Sequence, residues 1–333
     1  MGSYSIQFQK GMSLIEFHSL YGTEIQYLEA IIVFKWLGGF RCKDCGAHEH
    51  CRIKSRNLFQ CNTCHKQESI KANTIFHNSN LPLIKWFLGM FLLTQSKNGI
   101  SSVELGRHLG VRQPTAWMMK HKLMQVMLEQ DRSKQLGTKV QVDDAYLGER
   151  KKGKRGRGAE GKTPFIAAVE IKEIDNDNNE EVKENEDGKK KKKELPMRVK
   201  LTVLKSFKSR DIEKWSKAHL KSDCEIVSDG CRGFSGFKKA GFKHNMVVIG
   251  NAKSSPNSEY IQWVNVLLGN LKTAMKGTYK AQKAKYRQRY LSEFEYRYNR
   301  RNNLRTIFPR LLSVSARTPP MPRHLLTMAV NSA

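Results

Sequence analysis

The sequence predicts a multidomain protein of mixed α+β and α/β character: a small ribbon, a helical segment, and a larger domain of alternating strands and helices. Three observations predict it. Two C-x-x-C pairs, Cys42/Cys45 and Cys61/Cys64, lie among polar and β-forming residues with no helical period. From Pro82 to about Met127 apolar residues recur at helical spacing. From Lys139 onward, strand-like runs alternate with helix-like ones. At 333 residues the chain is long enough for several cores without disulfides.

These transitions divide the chain into an N-terminal segment (1–35), a ribbon (36–76), a helical region (77–135), the alternating domain (136–310) and a C-terminal tail (311–333). In the ribbon, Cys42-x2-Cys45-x15-Cys61-x2-Cys64 presents four soft thiolates as two knuckles. That is the donor set of one structural Zn²⁺, closed to substrate, so that its binding energy is folding energy. Cys51, Cys224 and Cys231 have no partner at knuckle spacing and read as ordinary thiols.

The helical region reads as an apolar helix (LIKWFLGMFLL), a Gly-containing turn (NGISS), and two short helices joined at Gly110. The pair predicts a helix-turn-helix, with Arg112, Gln113 and Thr115 opening the recognition helix and Trp117 and Met118 packing inward. A helical hairpin without a ligand is the other reading of the same spacing.

In the larger domain KVQVDDAYLGE, PFIAAVEI, MRVKLTVLKSF, CEIVSDG and HNMVVIG read as strands. SRDIEKWSKAHL and the stretch from about Glu259 to Met275 read as helices, followed by the arginine-rich KAKYRQRYLSEFEYRYNRRNN. The loop between the first two strands carries Lys151, Lys152, Lys154, Arg155 and Arg157 spaced by glycines, suited either to a phosphate backbone or to a solvated tip. Residues 172–194 have no core-forming pattern and predict a disordered insertion in a hairpin loop.

Lys and Arg number 59 against 31 Asp and Glu, a formal charge of +28, and the pI is about 9.9. Segment 172–194 is itself richer in acids than in bases, so the positive charge belongs to the rest of the chain. Such an excess attracts a polyanion, with nucleic acid the leading partner. No stretch approaches the roughly 20 apolar residues of a membrane span, and residues 1–11 lack the apolar core of a signal peptide. The expectation is a soluble, intracellular protein with no membrane partner.

Asp143 and Asp229 are placed at the ends of predicted strands, and a β-β-β-α-β-α order with carboxylates there is the RNase H-like pattern. Phosphodiester chemistry on two metal ions about 3.5–4 Å apart needs such hard oxygen ligands. Because side chains alternate along a strand, only one of Asp143 and Asp144 is expected to face the site.

At this point several motifs together carry a resemblance: VQVDDAYLGER, KGKRGRGAEGKTPF, IVSDGCRGF, WVNVLLGNLK, GTY and YLSEFEYRYNRR. They resemble the bacterial insertion-sequence transposases of the ISXO-like group, in order, from about Ser13 to Asn302. The resemblance implies a zinc ribbon, a helix-turn-helix and an RNase H-like DDE-type catalytic domain, in which the third acidic position is Asn or Glu followed by Lys. Carried onto this chain, it makes Asp143 and Asp229 the first two acids, Asn265 the third ligand and Lys272 the trailing lysine. The 35 residues between Asp229 and Asn265 match the interval of many such recombinases. Lys272 follows Asn265 by two helical turns, on one face. Glu259 is the other candidate for the third ligand; it lies off that face.

The implied function is a DNA transposase that binds the terminal inverted repeats of its element and cleaves and joins DNA with two Mg²⁺ or Mn²⁺ ions. Double-stranded DNA, as transposon ends and target, would be its partner. A dimer or larger homo-oligomer on DNA follows from the need to bring two ends together, and the setting would be the cytoplasm and nucleoid of a prokaryote. A DNA-binding regulator derived from a transposase and a simple RNase H-like nuclease are the alternatives.

Overall fold

The computed structural model describes residues 11–148, 161–174, 193–247, 260–280 and 282–328. Its helices are α1 (Leu14–Leu20), α2 (Glu24–Lys35), α3 (Leu83–Gln95), α4 (Ser102–Leu109), α5 (Gln113–Arg132), α6 (Ser209–His219), α7 (Ser235–Lys239), α8 (Gln262–Thr278), α9 (Arg287–Tyr298), α10 (Ile307–Ser315) and α11 (Arg323–Thr327). Its strands are β1 (His50–Ile53), β2 (Leu58–Cys61), β3 (Gln67–Ser69), β4 (Lys139–Leu147), β5 (Thr163–Ile174), β6 (Lys193–Val203), β7 (Glu225–Ser228) and β8 (Lys243–Met246). The chain forms two compact units, Met1–Gln130 with Arg300–Ala329, and Asp131–Asn299 with Val330–Ala333. Among the described residues no helix is long and apolar enough to cross a membrane.

In the first unit, α2 starts with a capping box between Thr23 and Gln26, which satisfies N–H groups the helix itself leaves open. The ribbon is a three-stranded antiparallel sheet in the order β1-β2-β3. Its own core is aromatic, with the rings of Trp36, Phe40 and Phe59 4.8–5.7 Å apart. Helix α3 buries Trp86, Phe87, Met90, Phe91 and Leu93.

The C-terminal segment departs from the predicted division at residue 310, because α10 belongs to this first unit. Phe308 places its ring 5.5 Å from Phe17 and 6.0 Å from Phe87, and Ile307, Leu311 and Leu312 are fully buried. A partner so distant in sequence leaves no trace in local periodicity.

Between α4 and α5 the chain turns on Gly110, in the left-handed region at φ 58°, as a helix stop without a side-chain penalty. Gly106 allows close approach: a Cβ there would stand 3.0 Å from the Val111 carbonyl. Helix α5 runs 20 residues and is not the short helix expected. Its buried apolar residues are Ala116, Met119, Leu123, Met124, Val126 and Met127, while Trp117 and Met118 are half-buried. The inward stripe thus runs at i, i+3 and i+7 from Ala116, beside the predicted Trp117 and Met118.

The second unit is built on a five-stranded sheet in the order β6-β5-β4-β7-β8. The pairs β6/β5 and β5/β4 are antiparallel, and β4/β7 and β7/β8 are parallel. Alternation along β4 assigns its residues to two cores. Val140 and Val142 pack with Ile212, Trp215, Phe234 and Phe237. Ala145 packs with Val264, Leu267, Leu271, Leu291 and Phe294 of α8 and α9.

The arginine-rich segment is not an external tail over its first half. Helix α9 buries Arg287, Arg289 and Arg297 and covers the edge strand β6. Gln288 accepts from the Val203 N–H at 2.7 Å, Glu295 from Leu201 at 2.9 Å, and Asn299, just past the helix, from Val199 at 2.7 Å. Polar side chains recurring at helical phase thereby occupy the bonds another strand would take, and the edge is closed to aggregation.

The predicted insertion, 172–194, is narrower than expected. Its ends are strand: Glu173 pairs with Glu194 in register, and Lys139 lies 3.3 Å and 2.6 Å from their carboxylates. Two like charges opposite one another are held by the lysine between them. The remainder, 175–192, lies outside the described residues. Replacing 175–192 by a short turn is expected to leave the thermal midpoint unchanged. Removing 172–194 also takes both glutamates from Lys139 and is expected to lower it, as a melting curve would read.

Candidate metal centres

Each ribbon knuckle is built by the same backbone device. The N–H of Gly46 donates to the Cys42 carbonyl at 3.0 Å, and that of His65 to the Cys61 carbonyl at 3.0 Å. Both residues follow the second cysteine of a pair and have positive φ, 75° and 59°. The turns point four sulfurs inward, with Cys42–Cys64 and Cys45–Cys61 Sγ separations of 3.5 Å. All four lie within 4.8 Å of one another. Backbone N–H groups of Cys64 and Thr63 directed at Cys61 pull its thiol down to about 6, toward the thiolate a metal takes. Four thiolates at these separations fit a tetrahedral Zn²⁺. Cys51 is exposed on β1, and Cys224 and Cys231 pack in the core of the second unit.

The second centre forms where parallel pairing stops. The β4/β7 register ends at Val142↔Ser228, so Asp143 and Asp229 are the next residues on neighbouring strands. Asp143 does not end its strand as predicted, since β4 continues to Leu147 against β5. What ends there is its pairing with β7, and this frees the edge beside the carboxylates.

Carboxylate oxygens of Asp143, Asp144 and Asp229 lie within 4.8 Å of one another. The expectation that only one of the adjacent pair faces the site is therefore corrected. Strand alternation separates side chains above and below a sheet, but past the end of β7 both can reach the vacated in-plane edge. The Asp144 N–H donates to Asp143 Oδ1 at 2.7 Å, and the Cys231 N–H to Asp229 Oδ1 at 3.2 Å. Burial, then the charges of Asp229 and Asp144, push the Asp143 carboxyl up to about 7. Three converging acids are the hard oxygen donor set that a divalent cation satisfies.

Lys272 lies on α8 within electrostatic reach and acts in the opposite direction on Asp143. Asn265 is exposed on the first turns of the same helix, flanking its buried stripe of Val264, Leu267, Leu268 and Leu271. Glu259 and the basic series Lys151, Lys152, Lys154, Arg155 and Arg157 lie outside the described residues. Arg112 and Gln113 are exposed at the start of α5 and Thr115 is half-buried. Sequence reasoning missed Gln141, which is fully buried on β4 and accepts from the Trp263 and Val264 N–H groups at 2.9 Å and 3.2 Å. Its one signal was its position two residues before Asp143, on the same face.

Residues 135–299 match the family model of the ISXO2-like transposase domain, and residues 22–67 that of the transposase zinc-ribbon domain. Together the two matches cover well over half of the chain. The chain belongs to the ISXO2-like insertion-sequence transposases. A comparison with curated proteins finds no match. Within this transposase, both candidate metal centres fall inside the matched segments, the four cysteines in the ribbon and the three acids in the transposase domain. Tyr279 and Glu293, from two motifs that carry the resemblance, meet in a buried hydrogen bond of 2.6 Å that joins the end of α8 to α9.

Proposed function

We propose that this transposase binds double-stranded DNA at the ends of its element and cleaves and joins it at the acidic site of an RNase H-like domain. The observation that carries the reading is the convergence of the Asp143, Asp144 and Asp229 carboxylates where β4 and β7 part. Asp143 and Asp229, with Asp144 and the Asn265 carbonyl beside them, would hold divalent ions, for which Mg²⁺ or Mn²⁺ suits the all-oxygen donors. Two such ions, when bound, activate an attacking oxygen and stabilise a leaving one. Asn265 brings an oxygen without charge, so the acids supply the electrostatic attraction and the amide completes the geometry. Lys272, exposed beside this site, would neutralise a DNA phosphate and hold the scissile strand against the carboxylates.

In the first unit, α4, the Gly110 turn and α5 would act as a helix-turn-helix, with Arg112, Gln113 and Thr115 toward base edges. The loop carrying Lys151, Lys152, Lys154, Arg155 and Arg157 would follow the phosphate backbone. A dimer or larger assembly would pair the two ends.

Incubating the protein with Mg²⁺ or Mn²⁺, labelled element ends and a plasmid target tests the reading directly. Joined product is expected; nicked product alone points to a hydrolytic nuclease, and binding alone to a regulator. End affinity is expected to fall steeply with salt, with a log–log slope of about −0.9 per neutralised phosphate. A flat dependence in a filter-binding series would remove DNA as the partner.

A further inference from the structure

We propose that Gln141 is a positioning residue for the acidic site, anchoring the first turn of α8 to β4 and so fixing Asn265 and Lys272 relative to Asp143. This rests on the reading of Asp143, Asp229 and Asn265 as metal ligands. The first turn of a helix leaves its N–H groups without intrahelical partners, and a side chain at the preceding residue usually accepts from them. Helix α8 has no such cap, because the residue at that position is Ile261, which makes no side-chain hydrogen bond. The acceptor instead comes from 122 residues away, as Gln141 Oε1 takes the N–H of Trp263 at 2.9 Å and of Val264 at 3.2 Å.

The position of this anchor is what ties it to chemistry. Gln141 and Asp143 share one face of β4, roughly 7 Å apart along the strand. Asn265 directly follows Val264, the second residue anchored. One glutamine therefore links the strand bearing the first acid to the helical turn bearing the third ligand. Stability alone does not account for it. Gln141 is completely buried, and its Nε2 has no hydrogen-bond partner among the described residues, which costs free energy that an apolar residue would not. Residues that orient metal ligands from behind commonly change metal affinity or activity by about 10- to 100-fold when altered.

The test titrates Mn²⁺ binding by electron paramagnetic resonance on the full-length, zinc-loaded protein, with end joining and DNA-end binding measured in parallel. Gln141→Met keeps the length and apolar packing and removes the acceptor. It is expected to raise half-saturating Mn²⁺ about tenfold or more and to lower joining comparably at low metal, with end binding unchanged. Gln141→Glu restores an acceptor at a helix N-terminus, where a negative charge is favourable, and is expected to stay within about threefold of the parent. A Met variant that melts earlier but binds Mn²⁺ like the parent overturns the proposal, as does a Glu variant as impaired as the Met one. Should Gln141→Met fail to fold, Gln141→Asn serves: its shorter side chain is expected to raise half-saturating Mn²⁺ as well, and an unchanged value overturns the inference. Asp229→Ala in the same titration separates the two levels. If Mn²⁺ binding survives it, the acidic-site reading fails and takes the inference with it; if binding is lost there but intact in Gln141→Met, only the role of Gln141 fails.

Discussion

Asp143→Ala and Asp229→Ala are each expected to reduce cleavage and joining on the order of a thousandfold or more, about 4 kcal/mol of barrier, while binding to element ends survives. Each change removes an anionic oxygen from the point where three carboxylates lie within 4.8 Å of one another, and leaves the ribbon and α5 untouched. Activity on labelled ends beside a mobility-shift assay separates the two effects, and a variant that joins at the parental rate would sink the assignment. Asn265→Ala is expected to cripple joining, and Asn265→Asp to retain it or tighten metal binding by restoring a charge.

The same site makes a prediction about stability that runs against activity. Asp143 titrates at about 7 in the folded protein, above the unfolded value of about 3.9. Between those values the native state holds a proton the unfolded chain has lost, so stability of the metal-free protein falls as pH rises from about 4 to about 7. Asp143→Asn removes that slope. It is expected to be more stable than the parent at pH 8 without metal, on the order of 1–3 kcal/mol, yet inactive. Urea melts at pH 5 and pH 8 decide it: equal gains at both pH values would mean that ionisation of the buried Asp143 carboxyl is not the cause.

The contrast between Asp229 and Asp144 shows what local pattern carries. A strand ending in an acid before a Gly-containing loop is visible in IVSDG, and the two cysteine pairs are visible as spacing alone. Asp144 was not, because its side chain reaches the site only past the end of β7, and where β7 ends is a tertiary fact. Gln141 and the Gln288, Glu295 and Asn299 series on α9 escaped for a related reason. Each is a polar residue whose partner is a backbone group some 85 to 123 residues distant. Composition makes buried arginines look like a DNA-facing surface, and only their burial in the fold shows otherwise for Arg287, Arg289 and Arg297. Helix α10 joined the first unit through Phe308, whose aromatic neighbours at Phe17 and Phe87 no window in the sequence brings together.

Removing zinc is expected to unfold the ribbon and weaken end binding while the acidic site keeps its ability to bind Mn²⁺. The ribbon strands have four, four and three residues, and its core is a small aromatic group around Trp36, Phe40 and Phe59. So little apolar area does not offset the ordering entropy of a module this size. A four-thiolate zinc site contributes about 10–16 kcal/mol at neutral pH, enough to decide whether the module folds. Chelation, or Cys42→Ser with Cys61→Ser, is therefore expected to expose Trp36 to quenchers, open the 36–76 segment to proteolysis and release one zinc per chain. Acidification is expected to do the same, because the ligands must be thiolates and protons compete with the metal for them. Elemental analysis finding no tightly held zinc, or native thiols that react freely with a thiol reagent at neutral pH, would remove the ribbon's metal from the account. Loss of Mn²⁺ binding at Asp143 and Asp229 on chelation of zinc would show instead that the two units fold as one.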